Sequence, residues 1–240
     1  KAIRRQRQMC IRDRVKPWKT AGSDHMGIIE LDETGMTDKD GAVTAAEYCA
    51  RFAGILAGIP MGMSATYAAL PELTAVTART TEEQTEAINN GKLILIHDGI
   101  QAKIARAVNS LTTIPTEGKA DWSKIKIVEG IDLIRGDIAK AFESGYVGKV
   151  LNDYDNKLLL VTAINAYLKG LEGDVLDKTA DNRCFVSLSG QRSYLESRGT
   201  DTSDMKDTDI LKANTGSQVF LEAKLTFCDA MEDLALVISM

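Results

Sequence analysis

The sequence has few of the residues that usually carry recognition or redox chemistry. Aromatic side chains make up only 5% of its 240 residues, which argues against a stacking platform for single-stranded nucleic acid. The four cysteines, Cys10, Cys49, Cys184 and Cys228, include no close pair that could form a zinc knuckle or a redox dithiol. We therefore expect scattered, reduced thiols in a cytosolically made protein.

Long apolar runs are also missing. The most apolar stretch, residues 48–70, contains Arg51 and is interrupted by Pro60. Its uninterrupted part falls well short of the roughly 20 residues that a helix needs to cross a bilayer. The stretch therefore predicts a helix packed against a sheet, and no membrane insertion is expected.

Charge is distributed unevenly along the chain. Residues 1–19 hold eight lysines or arginines and one acidic residue, whereas the whole chain has a net charge of -5. The remainder therefore carries -12, and an acidic body gives no support for nucleic-acid binding through phosphates. The basic stretch Arg4–Arg14, RRQRQMCIRDR, reads like the translation of a transposase adapter used in sequencing libraries. We expect residues 1–19 to be adapter-derived or a truncated arm, and exclude them from fold reasoning.

Catalytic motifs are equally scarce. The two histidines are His25 and His97, and Ser189 lacks the flanking glycines of a nucleophile elbow. The chain has no phosphate-cradling loop, no dinucleotide fingerprint and no set of residues at metal-ligand spacing. We therefore predict no catalytic residue, no cofactor and no metal. The alternative of another class is a degenerate hydrolase that uses His97, at the end of a predicted strand.

The first half of the chain alternates strands with helices. A capping-box pattern at Thr44–Glu47 predicts one helix start, and TTEEQTEAINNG, residues 80–91, predicts a second capped helix that ends at Asn90-Gly91. An Asp98-Gly99 turn predicts a hairpin. Predicted strands cover residues 27–33, 73–78, 92–99 and 100–108. This alternation favours an α/β layered domain.

The second half follows a polar break at residues 115–122, which we take as a domain boundary. Apolar residues at helical spacing predict helices over 127–145 and from a cap at Asp155/Asn156 to Gly173. Strands are predicted over 183–189 and 217–227, with short helical pieces between them. Helices early and strands late make this half α+β.

An ordered set of segments resembles the contractile tail sheath proteins of phages. The strongest pieces are residues 124–173, KIKIVEGIDLIRGDIAKAFESGYVGKVLNDYDNKLLLVTAINAYLKGLEG, and 213–239, ANTGSQVFLEAKLTFCDAMEDLALVIS. GIIELDE, AEYCARFAGILAG, SATY and IQAKIARAVNSLTT, which lie upstream, are also similar to the family. The pieces occur in the family's order and together cover roughly residues 20 to 240.

The resemblance implies a structural protein of two domains. Residues 20–116 would form part of a subtilisin-like sheath domain without the catalytic triad, and residues 117–240 a C-terminal sheath domain. Subunits of this family stack helically around a tail tube and contract to drive the tube through a host envelope. Implied partners are further copies of the chain, the tail tube protein, and baseplate and tail terminator proteins. The implied location is the virion, after assembly in the bacterial host cytoplasm. A bacteriocin or another contractile injection particle is an open alternative.

The chain ends on a run typical of a core strand. Leu234, Leu236 and Ile238 share one face, and Ala235 and Val237 share the other. Such a strand could close its own domain or pair with the sheet edge of a neighbouring subunit. The resemblance favours the second role, with a flexible hinge around the strand. The residues that would lead into this inter-subunit strand are Asp229, Met231, Glu232 and Asp233.

Overall fold

The chain folds into two compact units. The structure, a computed structural model, describes residues 14–18, 22–113 and 120–239. Unit 1 is formed by the described residues up to Gly130 together with those from Asp229 onward. Unit 2 is formed by Ile131–Cys228.

Unit 1 alternates short strands with helices. In chain order its elements are β1 (Val15–Pro17), β2 (Ile29–Leu31), β3 (Met36–Asp38), β4 (Gly41–Val43), α1 (Ala45–Gly58), β5 (Ala69–Leu70), β6 (Leu73–Ala75), α2 (Thr81–Asn89), β7 (Lys92–Leu93), β8 (Leu95–His97), β9 (Ala102–Ile104), a 3-10 turn (Ala120–Ser123) and the start of α3 (Ile125–Gly145). The mixed α/β character predicted from the sequence is confirmed. A subtilisin-like arrangement of residues 20–116 remains a prediction.

The described strands of unit 1 form three small sheets. One is parallel, in the order β1-β2-β7. The other two are antiparallel, in the orders β4-β3-β6 and β5-β9-β8. The predicted hairpin at Asp98-Gly99 is present between β8 and β9, and Gly99 has a φ of +92° that favours glycine. Residues 38–41 form the turn of the β3–β4 hairpin.

The predicted capping box at the start of α1 is formed. The Thr44 hydroxyl accepts a hydrogen bond from the Glu47 amide at 3.3 Å, and the Glu47 carboxylate accepts one from the Thr44 amide at 3.0 Å. Thr80 and Glu83 repeat this arrangement at the start of α2. Each pair satisfies two amides that a helix start leaves without partners, which is why a local pattern located both helices.

The core of unit 1 lies between α1 and the strands. Phe52 of α1 is fully buried together with Leu70, Leu93, Leu95 and Ile104. In β2 every residue is buried, including Glu30. Both faces of this strand are therefore buried.

Part of residues 1–19, which we excluded from the fold prediction, belongs to this core. β1 pairs in parallel with β2, and Val15 is buried. Arg14 forms an ion pair with Glu129 at 3.5 Å. Residues 15–17 are thus integrated into the fold, whereas residues 1–13 lie outside the described residues.

Unit 2 combines helices with one two-stranded antiparallel sheet. After the remainder of α3, its elements are α4 (Tyr154–Gly170), β10 (Arg183–Val186), α5 (Leu188–Ser197), α6 (Asp207–Lys212) and β11 (Leu221–Lys224). The N-cap of α4 is Asp153, whose carboxylate accepts from the Asn156 amide at 2.8 Å, so the predicted cap at Asp155/Asn156 was wrong by two residues. Among the described residues of both units, no helix is long and apolar enough to cross a membrane.

Candidate assembly site

The predicted C-terminal strand does not form within the chain. Residues 228–239 carry no strand, and no hydrogen bond joins Leu234–Ser239 to another described residue. The side chains of this stretch are exposed, with Leu234 and Val237 at 88%. The alternative of an ordinary last strand in its own domain therefore finds no support among the described residues. A strand exists only where an edge supplies backbone partners, and no described edge of this chain does so.

The five residues before this stretch, Asp229–Asp233, are anchored to unit 1. We call them the root, and we call Leu234–Ser239 the terminal segment. Arg106 donates to the Asp233 carboxylate from both terminal nitrogens of its guanidinium, at 2.5 Å from Nη2 and 3.1 Å from Nη1. Lys124 donates a hydrogen bond to the Asp229 carboxylate. The two ends of the root are therefore held by separate cations, one after β9 and one just before α3.

Glu232 completes the attachment from the middle of the root. Its carboxylate accepts a hydrogen bond from the Ser64 hydroxyl at 2.7 Å and lies 3.7 Å from the Arg106 guanidinium. Its side chain is only 8% exposed. Met231, which precedes it, is fully exposed. The root thus turns its carboxylates toward unit 1 and its methionine toward solvent.

The charges of the root are stabilised by their partners. The hydrogen bond and the charge of Arg106 lower the pKa of Asp233. Burial lowers the pKa of Lys124, but its hydrogen bond with Asp229 and the nearby carboxylates outweigh burial, so that the pKa is raised overall. Both groups therefore remain ionised at neutral pH, and the attachment is ionic.

The sequence identified one side of this site and missed the other. Of the predicted root residues, Asp229, Glu232 and Asp233 contact the body of unit 1, whereas Met231 does not. Their partners Ser64, Arg106 and Lys124 were not predicted, because they lie more than 100 positions away from the root in sequence. No local pattern distinguishes a basic residue that binds a distant acid from one that is solvated. The inter-subunit role of Leu234–Ile238, the part of the terminal segment that the sequence predicted to pair, is still a prediction.

His97 is the last residue of β8, at the exposed turn that leads into β9. Its Nδ1 accepts a hydrogen bond from the Gly99 amide at 3.1 Å. The neighbouring Asp98 carboxylate is bound instead by the amides of Ile100 and Gln101 and by Lys103. No hydrogen bond within the described chain joins His97 to a serine or to Asp98. The arrangement is that of a turn, and it gives the hydrolase alternative no support.

The described residues also contain no group of three or more His, Cys, Asp or Glu side chains that could hold a metal ion. Cys49, Cys184 and Cys228 are free thiols. Burial raises the pKa of Cys49 and of Cys184, which keeps both protonated at neutral pH.

Comparisons with known proteins agree on one family. The model of the family described as "Phage tail sheath C-terminal domain" matches residues 117–240. The tail sheath protein of Clostridium phage phiCD119 is 34% identical over 219 residues, which cover 91% of this chain and 61% of the relative. The chain therefore spans less than two thirds of that relative's length.

Solved structures share the fold. The sheath tail protein of Listeria innocua matches 89% of this chain and 48% of its own, with a TM-score of 0.61 and 20% identity. The contracted helical sheath of the anti-feeding prophage matches 93% of this chain and 58% of its own, with a TM-score of 0.62 and 15% identity. At these identities the likeness concerns the fold alone.

Proposed function

The chain belongs to the phage tail sheath family, and from this premise we propose that it is a structural subunit of a contractile tail sheath. Copies of it would assemble helically around a tail tube and contract to drive the tube through the host envelope. Its tail sheath relative from a Clostridium phage and the fold it shares with a contracted helical sheath support this proposal.

One observation carries the assembly role: a terminal segment that is apolar on both faces and forms no hydrogen bond or ion pair with another described residue. Leu234, Leu236, Val237 and Ile238 are between 72% and 88% exposed. Large apolar side chains are rarely left exposed together unless a partner covers them. An extended segment with free backbone groups can add a strand to an exposed sheet edge, where backbone hydrogen bonds provide affinity. We infer that the edge belongs to a second copy of this chain, since a helical array requires contacts that do not close on themselves.

Other parts of the proposal rest on the family alone. The expected partners besides further copies are the tail tube protein and the baseplate and tail terminator proteins. The expected location is the virion, with synthesis and assembly in the bacterial host cytoplasm. A sheath of a phage-derived bacteriocin or of another contractile injection particle would use the same subunit chemistry, and the fold shared with the anti-feeding prophage sheath keeps that alternative open.

The hydrolase alternative makes a separate prediction. A serine-directed activity probe should leave the chain unlabelled if its role is structural. Labelling that disappears in His97→Ala would instead establish a catalytic site at the β8–β9 turn.

A proline substitution tests the assembly role directly. Val237→Pro removes one backbone donor from the terminal segment and so should abolish tubes or rings in negative-stain images. Val237→Thr, the matched control, keeps the donor and the β-branched shape and should assemble as the unmodified chain does. Since Val237 contacts nothing described in its own chain, neither variant should change the melting temperature.

Deletion of Leu234–Met240 should have the same effect as the proline. Ile100→Ser is its control, because it removes an exposed apolar side chain from the β8–β9 turn of the same unit. Normal tubes from both the deletion and Val237→Pro would overturn the proposed role of the terminal segment.

A further inference from the structure

The contacts that hold the C-terminal region on unit 1 end at one peptide bond, between Asp233 and Leu234. Asp229, Glu232 and Asp233 each contact side chains of unit 1. From Leu234 to Ser239, no described residue provides a hydrogen bond or an ion pair. The last anchored residue therefore immediately precedes the first residue of the terminal segment.

The chemistry of the anchor differs from that of the segment it precedes. The root is attached by charge-assisted bonds, of which the paired contacts between Arg106 and Asp233 fix both distance and orientation. The terminal segment has no charged side chain at all. Salt should therefore weaken the root attachment, since exposed ion pairs are screened, whereas strand pairing through backbone bonds and apolar faces should resist it.

We propose that Ser64, Arg106 and Lys124 form a salt-sensitive latch, which fixes the root so that the terminal segment leaves the subunit at a defined position. This inference rests on the proposed function, because it assigns positioning residues for strand pairing between copies. A free tail would have to order eleven residues, 229–239, on pairing, whereas a latched tail orders only the six of the terminal segment. Such preorganisation lowers the entropic cost of association.

The latch differs from a contact that merely stabilises unit 1. Neither Arg106 nor Lys124 needs the root in order to complete a strand or helix, since β9 ends at Ile104 and α3 begins at Ile125. Loss of the latch should therefore free the root while the fold of unit 1 persists. A structural role alone would not predict a change confined to residues 229–233.

Backbone NMR of the unassembled chain tests the first part of the inference. The ¹⁵N heteronuclear NOE should be high through Asp233 and fall at Leu234. In Arg106→Gln combined with Lys124→Gln, the fall should move back to Asp229, and about 1 M salt, where the Debye length is about 3 Å, should act in the same direction. Arg51→Gln is the control, because Arg51 forms a 2.7 Å ion pair with Glu72 in the same unit, away from the root.

The critical concentration for assembly tests the second part of the inference, the positioning of the terminal segment for pairing. The double variant should raise the critical concentration for assembly by about three- to tenfold, the range expected from losing one or two partly exposed ion pairs. Arg51→Gln should not raise it. Arg106→Asp combined with Asp233→Arg should raise the critical concentration less than the double variant does, because the ion pair is restored with its charges exchanged.

The outcomes separate the latch from the proposed function. An NOE that is already low at Asp229–Asp233, or that is unchanged in the double variant, overturns the latch. An unchanged critical concentration overturns its role in positioning. If Val237→Pro and the deletion of Leu234–Met240 both assemble normally, the terminal segment is not the donor strand and its proposed role in assembly fails, while the NMR result still decides whether the root is latched.

Discussion

Glu33 shows how unit 1 holds a negative charge inside its core. Its side chain is fully inaccessible to solvent, and one oxygen lies 2.6 Å from the Arg79 guanidinium. That same oxygen accepts a hydrogen bond from the Leu95 amide at 2.7 Å, and the other accepts one from the Thr77 amide at 3.3 Å. The carboxylate thus joins the end of β2 to β8 and to the chain after β6. A buried charge with these partners costs far less than one without them.

Removing that carboxylate should destabilise unit 1 strongly. Glu33→Ala leaves Arg79 buried beside a cavity and two amides without acceptors, so we expect a loss of about 3 kcal/mol in the free energy of unfolding. Urea unfolding followed by the fluorescence of Trp18 and Trp122, both in unit 1, measures it. Arg51→Gln, which breaks the more exposed pair with Glu72 but leaves the hydrogen bond from the Tyr48 hydroxyl to Glu72 in place, is the control and should cost about 1 kcal/mol or less. Equal losses in the two variants would contradict this account of Glu33.

Among the elements, those fixed by local chemistry were predictable. The capping boxes located α1 and α2, and the Asp98-Gly99 turn located the β8–β9 hairpin, because each signal lies within a few residues. β1 and the unpaired terminal segment were not predictable in this way. A strand forms only if a distant edge accepts it, and the pairing of Val15 with Ile29 or the lack of any described partner for Leu236 depends on the whole fold. The root residues were recognisable from the family resemblance, but their attachment to Arg106 and Lys124 was not.

Helix α4 contains a lysine where its pattern predicts an apolar residue. Lys157 lies one turn before Leu160 on the buried face, and its ammonium donates to Gln191 at 2.7 Å and to Thr215 at 3.1 Å. Both acceptors are neutral. Burial lowers the pKa of Lys157, and the charge of Asp153 only partly offsets this effect. The sequence could not indicate this burial, because lysine is almost always exposed unless its charge is satisfied.

The stability of unit 2 should therefore depend on the protonation of Lys157. Because its folded pKa lies below its unfolded value, the unfolded chain binds more protons between the two, and the contribution of Lys157 rises with pH up to about 10.5. The unfolding free energy of the chain minus that of Lys157→Met should increase across this window, by at most about 1.4 kcal/mol per pH unit. Thermal unfolding of both proteins from pH 7 to 10.5 measures the difference. A difference that stays flat across this window would contradict the assignment.

In the whole molecule, the compact units do not correspond to continuous stretches of sequence. The family match runs without interruption from 117 to 240, whereas the compact units change at Gly130 and again at Cys228, so that the root returns to unit 1. Such a return depends on contacts across more than 100 residues, as between Lys124 and Asp229. A division by composition at residues 115–122 could not reveal it. The boundaries 20–116 and 117–240 therefore remain predictions.

The most direct test of the central claim is an electron cryomicroscopy reconstruction of particles assembled from this chain. The account predicts a helical array in which Leu234–Ser239 has become a strand, hydrogen-bonded to the sheet edge of a second copy, while Asp233 remains on Arg106 of its own subunit. An array in which the terminal segment pairs within its own subunit, or in which it has no ordered density, would contradict the account.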